Sequence, residues 1–174
     1  MDHRINKILD GIREEFPEAS PKEIVSLAMR ISIPIFAVTC FPKSVPLKIP
    51  DVHYELYDLL EDDSIRKAAI ALPRGMAKST VTSFLYVLWR ILHKPPNKDL
   101  FITIISESQS QSINFLTRIK SALTRNKKVH SYFGDFGVNT ALRWREDDIV
   151  LANGARVTAL GTGQKVRGNI QDDT

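Results

Sequence analysis

The sequence predicts an α/β protein in which crossover helices join the strands of a parallel sheet. Two short runs of apolar, β-prone residues lie at 67–72 and 100–106, and each precedes a segment with apolar residues at helical spacing. Alternating strands and helices are typical of parallel sheets with crossover connections. Further along, two β-prone runs flank Asn153 and Gly154, a pair that favours a tight β-hairpin.

Composition and charge are those of an ordinary globular protein. The 174 residues are 43% hydrophobic and 25% charged, with a formal net charge of +4 that permits a polyanionic partner without requiring one. Cys40 is the single cysteine, so an internal disulfide is excluded and a reducing compartment is expected. No uncharged apolar run reaches the ~18 residues of a membrane span. Residues 1–16 lack a signal-peptide core, so we expect a soluble cytoplasmic protein with no membrane partner.

Residues 1–40 are predicted to form a helical N-terminal extension. The second of its helices begins with a capping box, in which Ser20 caps, Pro21 takes the first helical position and Glu23 reaches back. Pro34 is expected to end that helix. The first helix has one apolar face, formed by Ile5, Ile8, Leu9, Ile12 and Phe16.

The segment after residue 40 is expected to lead into the sheet. Residues 41–52, with three prolines, predict an extended connector, and a short helix follows at 53–62. We expect a buried strand from Lys67 to Leu72, then a loop, then a long helix that is broken at Pro95. The apolar face of this long helix consists of Val81, Phe84, Leu85, Leu88, Ile91 and Leu92.

The second strand, at 100–106, is apolar almost throughout, as strands buried on both faces of a parallel sheet are. Residues 127–137 are predicted to form a loop, and residues 147–160 predict the two strands of the hairpin. Between strand and loop lies a helix whose apolar face consists of Ile113, Leu116, Ile119 and Leu123.

The residues between the first predicted strand and its helix have most features of a phosphate-binding loop. The common pattern is G-x-x-x-x-G-K-[ST], in which the loop and the helix start present backbone N–H groups to an anion. Here Lys78 and Ser79 take the last two positions, whereas Leu72 and Ala77 stand where the glycines would be. Gly75 supplies a residue that adopts positive φ freely, and Ala77 suits the pattern if its φ is negative.

This context predicts an ATP site, with an ordinary basic turn as the alternative. Lys78 is expected to bind the phosphates and the Ser79 hydroxyl to hold Mg²⁺. Arg74 adds positive charge where hydrolysis at the γ-phosphate needs it. The predicted ATP-binding residues are Pro73, Arg74, Gly75, Met76, Ala77, Lys78, Ser79 and Thr80.

Four stretches occur in order along the chain: HYELYDLL (53–60), PRGMAKST (73–80), FITIISESQSQSINFL (101–116) and WREDDIVLANGARVTALGTGQKVRGNIQDD (144–173). Together they resemble the N-terminal ATPase part of the large terminase subunit, the DNA-packaging motor of tailed phages. The first is similar to the adenine-side segment of that family and the second to its arginine-bearing Walker A loop. The last looks like the hairpin and R-G element ahead of Walker B.

The resemblance implies a P-loop NTPase of the additional-strand type, with residues 41–174 as a partial ATPase domain. It implies ATP and Mg²⁺ as cofactors and the packaging of double-stranded phage DNA into procapsids as the function. A portal protein and a small terminase subunit are the implied partners. The full-length protein is expected to self-associate into a ring in the cytoplasm of the infected bacterial host.

The resemblance also implies roles for individual residues. Arg74 has a catalytic role on the γ-phosphate of its own subunit. Arg167 is either the arginine that reaches the ATP of a neighbouring subunit, also a catalytic role, or a structural residue. Gln164 either senses the nucleotide or caps a loop.

The Walker B acids of the family have no counterpart in the sequence. Asp172 and Asp173 do not follow a buried apolar strand, and Asp147 and Asp148 precede a predicted strand instead of ending one. The family's C-terminal nuclease is missing as well. We therefore expect a truncated ATPase motor that lacks its catalytic acid. The alternative is a non-catalytic nucleotide- or DNA-binding remnant.

Basic residues cluster at 118–128. They form either a solvated helix face or a patch that follows DNA phosphates without reading sequence. The cluster consists of Arg118, Lys120, Arg125, Lys127 and Lys128. The last three are the candidate DNA-binding residues.

Overall fold

The computed structural model describes residues 2–45 and 49–163, which form a mixed α/β structure with a small mixed sheet. The first helices are α1 (His3–Glu15), α2 (Pro21–Ile31), α3 (Ile33–Cys40) and α4 (Asp51–Glu61). Next come α5 (Lys78–Thr80), a π-helical stretch (Val81–Leu85) and α6 (Tyr86–Leu92), which follow one another without a break. The remaining elements are β1 (Phe101–Ser106), α7 (Gln109–Arg125), α8 (Lys127–Phe133), β2 (Arg143–Trp144), β3 (Asp148–Val150) and β4 (Arg156–Gly161).

The sheet combines one parallel and two antiparallel pairings, in the order β1-β4-β3-β2. Strand β1 runs parallel to β4, with Phe101 opposite Arg156 and Ser106 opposite Gly161. Strands β3 and β4 are antiparallel neighbours joined by residues 151–155, so the predicted hairpin is confirmed. The Asn153 side chain accepts a hydrogen bond from the Ala155 N–H (3.1 Å), which is typical of an asparagine in a turn.

One face of the sheet is buried and the other is partly open. Helix α7 contacts β1 and β4, and Ile104, Val157 and Ala159 are buried on the face it covers. On the opposite face Phe101 is 40% exposed and Ile105 55% exposed. Side chains alternate between the two faces of a strand, so the prediction that residues 100–106 are buried on both faces is wrong.

The signals read in the N-terminal segment are confirmed in part. Ser20 and Glu23 form the capping box, with the Ser20 N–H donating to the Glu23 carboxylate at 2.8 Å. Helix α2 ends at Ile31, before Pro34, but Pro34 then lies in the first turn of α3, where its missing N–H leaves no bond unmade. Phe16 departs from the predicted apolar face of α1, because it is 44% exposed.

The predicted strand Lys67–Leu72 is wrong. Among the described residues this segment pairs with no strand, and β1 lies at the edge of the sheet. Ile70 and Leu72 still pack against the core while Ala71 is exposed, so the side chains alternate as in a strand. A strand also needs a neighbour to bond its N–H and C=O groups, and the described sheet offers none here.

The long helix after the loop is confirmed and contains the π-helical stretch. Its predicted apolar face is buried throughout, from Val81 to Leu92. Residues 127–137 begin with helix α8 instead of the predicted loop, because Asn126 accepts hydrogen bonds from the N–H groups of Lys128 and Val129. Residues 42–45 form a turn and not an extended connector. Within the part of the chain that the structure describes, no helix has the length and apolar character needed to cross a membrane.

Candidate phosphate-binding site

The residues 73–80 form a tight turn that leads directly into a helix. The Met76 N–H donates to the Pro73 carbonyl at 3.4 Å, and Gly75 has a φ of +86°. Ala77 has a φ of +50° and a ψ of +19°, in the left-handed region. The expectation of a negative φ at Ala77 is therefore wrong. Helix α5 begins at the next residue, and its first bond joins the Val81 N–H to the Ala77 carbonyl at 2.9 Å.

Three consecutive backbone donors are available at this helix start. The N–H groups of Ala77, Lys78 and Ser79 donate to no other described residue. The first N–H groups of any helix lack an acceptor within the helix. Because the peptide dipoles add along the axis, this end also carries partial positive charge. The turn and the helix start together provide the donor set that an anion requires.

Two cationic side chains at the turn have no partner in the part of the chain that the structure describes. Arg74 is exposed and Lys78 is half-buried, and neither makes an ion pair or hydrogen bond within the described ranges. The hydroxyl of Ser79, which is exposed, makes no hydrogen bond there either. The three predicted residues Arg74, Lys78 and Ser79 thus lie close together along the chain, and none of their side chains is paired with another described residue.

Helix α4 contacts this turn through a hydrogen bond that the sequence did not predict. His53 is 7% exposed, and its Nε2 lies 2.9 Å from the Met76 carbonyl oxygen. The segment 53–60 was expected near the site, but His53 had no assigned role. The contact joins residues 23 positions apart, and no local pattern indicates it.

The structure does not describe every residue that the sequence analysis considered for a role. Arg167, Gln164 and the pair Asp172-Asp173 lie outside the described residues. Asp148 begins β3, is buried, and binds Arg143 at 2.8 Å and Arg156 at 2.9 Å. Burial acts to raise the pKa of Asp148, but its hydrogen bonds to the two arginines outweigh burial and hold the pKa below its usual range. Asp148 is therefore an ionised anchor of the sheet.

The basic cluster at 118–128 divides into two parts. The Arg118 guanidinium lies 4.7 Å from the ring centroid of Phe84, and the Lys120 ammonium donates to the Arg145 carbonyl at 2.9 Å. These two cations are engaged with the protein. The candidate DNA-binding residues Arg125, Lys127 and Lys128 are all exposed at the junction of α7 and α8.

The described residues contain no group of three or more His, Cys, Asp or Glu side chains that can hold a metal ion. Mg²⁺ at a nucleotide site is commonly held by one or two protein oxygens, phosphate oxygens and water. The single hydroxyl of Ser79 fits that donor set.

Comparison of this chain with protein-family models, with curated proteins and with solved structures gives no match. The terminase resemblance therefore rests on the four sequence stretches alone.

Proposed function

We propose that this chain is the ATP-binding part of a phage terminase large subunit, an ATPase that drives double-stranded DNA into procapsids. The observation that carries the proposal is the turn at 73–80. It combines three N–H groups, two cations and a hydroxyl at a helix start, none of which has a partner within residues 2–45 and 49–163. In an ordinary basic turn these groups need not occur together, because water alone satisfies a solvated lysine or arginine.

Each group has a distinct role in the proposed site. The N–H groups of Ala77, Lys78 and Ser79 donate to phosphate oxygens, and the Lys78 ammonium neutralises the phosphates. The exposed Arg74 guanidinium reaches the terminal phosphate, where it stabilises the charge that develops on transfer. The Ser79 hydroxyl is a ligand for Mg²⁺, which supplies charge neutralisation of the phosphates when bound.

The binding site is tested by comparing two lysine variants. We expect Lys78→Ala to weaken the affinity for a fluorescent Mg-ATP analogue by about tenfold or more, because a charge-assisted contact to phosphate is lost. Lys7→Ala, at an exposed position of α1, removes the same charge elsewhere and should leave the affinity unchanged. Equal affinities in the wild type and Lys78→Ala would contradict the assignment of the nucleotide site.

Turnover separates the ATPase from a non-catalytic remnant that only binds nucleotide or DNA. Phosphate release from Mg-ATP by the full-length product, stimulated by double-stranded DNA and lost in Lys78→Ala, supports the ATPase. Tight nucleotide binding without release under the same conditions supports the remnant. ATP binding is common to the ATPase and to a nucleotide-binding remnant, so the affinity measurement tests the part that these two share.

A DNA partner is proposed from the exposed cations at the junction of α7 and α8. Lys127 and Lys128 are adjacent and exposed, so both can reach backbone phosphates. We expect the double variant Lys127→Ala, Lys128→Ala to bind duplex DNA more weakly and with a shallower salt dependence. Unchanged affinity would show that these lysines belong to an ordinary solvated surface and do not bind DNA. The portal protein, the small terminase subunit and a ring of copies are the further partners that the proposed motor implies.

A further inference from the structure

Helix α4 contacts neighbouring elements near both ends, and its N-terminal end reaches the turn. Near its C-terminal end the Glu61 carboxylate accepts a hydrogen bond from the Ile33 N–H of α3, and Asp58 pairs with Arg4 of α1 at 3.2 Å. Near its N-terminal end the buried His53 ring contacts the Met76 carbonyl at 2.9 Å. His53 is therefore held by a packed helix and is not a mobile surface group.

The contact to the Met76 carbonyl also constrains the N–H group of Ala77, which belongs to the same peptide unit. All described peptide bonds are trans, and a trans peptide unit is planar with its C=O and N–H pointing in opposite directions. Holding the Met76 carbonyl towards α4 therefore directs the Ala77 N–H away from α4. That N–H is one of the three donors without an acceptor among the described residues.

The same peptide unit ends at a residue whose backbone conformation is unfavourable. It joins Met76 to Ala77, whose φ is +50°, and Gly75, with a φ of +86°, lies one residue before it. Rotation of the unit would take Ala77 from the left-handed region to negative φ, which an L-residue prefers. The rotation would also turn the Ala77 N–H towards α4. Unusual backbone geometry of this kind persists only where surrounding contacts hold it, and His53 supplies such a contact.

We propose that His53 is a positioning residue of the nucleotide site: its hydrogen bond to the Met76 carbonyl keeps the Ala77 N–H directed at the phosphates. The inference rests on the proposed ATP-binding function. It assigns His53 to the polyphosphate part of the ligand. The competing role is contact with the adenine, which the position of 53–60 in the terminase resemblance implies.

Three variants at one position separate the hydrogen bond from packing. His53→Phe keeps a ring but loses the donor. His53→Gln carries an amide nitrogen at a similar reach, and His53→Asn carries one that is too short. Affinity is measured for Mg-ATP and for Mg-tripolyphosphate, which has neither base nor ribose. Urea unfolding of each variant identifies losses that come from misfolding.

We expect His53→Phe and His53→Asn to weaken both ligands by about fivefold or more, and His53→Gln to stay within about threefold of the wild type. In an Ala77→Gly background the loss caused by His53→Phe should shrink, because glycine holds positive φ without support. If the role of His53 is purely structural, His53→Gln should not restore nucleotide affinity, even when the variants are equally stable.

The failures are distinguishable. If the wild type binds neither ligand, the proposed function itself fails. If Lys78→Ala loses affinity while all three His53 variants bind like the wild type, the nucleotide site stands and the positioning role is overturned. If His53→Phe weakens Mg-ATP but leaves Mg-tripolyphosphate unchanged, His53 acts at the base, which also overturns the proposal. Should His53→Phe not fold, the comparison of His53→Asn with His53→Gln decides.

Discussion

Because Ala77 is in the left-handed conformation, we expect Ala77→Gly not to lower the stability of the protein, unlike most substitutions by glycine. Ala77 is the one non-glycine residue of positive φ among residues 2–45 and 49–163. Its Cβ crowds the backbone in that region, so Ala77→Gly removes strain that the wild type carries. Ala71 is also exposed in the segment before the helix but has an ordinary φ, so Ala71→Gly is a matched control without that strain.

The magnitude follows from two opposing terms. A left-handed L-residue costs roughly 1–2 kcal/mol, and the extra freedom of glycine in the unfolded chain costs about 0.5–1 kcal/mol. Ala77→Gly should therefore be neutral or more stable than the wild type by up to about 1.5 kcal/mol. Ala71→Gly should be less stable by about 0.5–1 kcal/mol. The entropic term cancels between the two variants, which leaves a difference of about 1–2 kcal/mol.

Urea unfolding followed by circular dichroism measures this difference directly. If the denaturant slope is unchanged, the midpoints report stability alone. Thermal midpoints of the two variants should separate by ~2–8 °C for a chain of this size. Equal destabilisation by both substitutions would refute the strain at Ala77, and with it the reason given for the support from His53.

Two further predictions concern the fold around the site. Gly161→Ala should destabilise the protein by about 1–3 kcal/mol, because an added Cβ would lie 2.8 Å from the Gln109 backbone nitrogen. By contrast Gly11→Ala, on α1 with no atom within 4 Å of an added Cβ, should stabilise it by about 0.5–1 kcal/mol; the same sign for both in urea unfolding would contradict the packing of α7 on β4. Burial raises the pKa of Glu61 from 4.5 to about 7, although the hydrogen bond from the Ile33 N–H acts to lower it. The folded protein therefore binds this proton more tightly than the unfolded chain does. The free energy of unfolding consequently falls as the pH rises between these two pKa values. Glu61→Gln keeps an acceptor but does not titrate, and its unfolding free energy should decline less between those pH values; parallel pH profiles for the two proteins would exclude the raised pKa.

Features set by neighbouring residues were predictable from the sequence. The capping box of Ser20 and Glu23 is a contact across one helical turn, so its pattern is visible directly in the chain. The apolar spacing from Val81 to Leu92 fixed the buried face of the long helix. Asn153 and Gly154 indicated the hairpin because the turn itself selects those residues.

Features that depend on distant partners were not predictable. The run 67–72 has the composition of a strand, but a strand also needs a neighbour, and no local signal reveals that the described sheet lacks one there. The exposure of Phe101 and Ile105 depends in the same way on what covers the sheet. Helix α8 is different, since the capping signal of Asn126 is local and was overlooked among the adjacent lysines.

The site shows the same division. Lys78 and Ser79 lie at the start of the helix where the loop pattern puts them. The positive φ of Ala77 was not predicted, because alanine rarely adopts it and the pattern of residue types does not report backbone angles. The contribution of His53 is a tertiary contact, and such contacts appear only when the chain is folded.

Hydrogen–deuterium exchange with and without saturating Mg-ATP tests phosphate binding at the helix start most directly. The N–H groups of Ala77, Lys78 and Ser79 have no acceptor among the described residues, so they should exchange quickly in the free protein. With Mg-ATP bound they should exchange markedly more slowly, while α1 remains unchanged. Peptides covering 73–80 that show no protection at saturation would contradict the proposed nucleotide site.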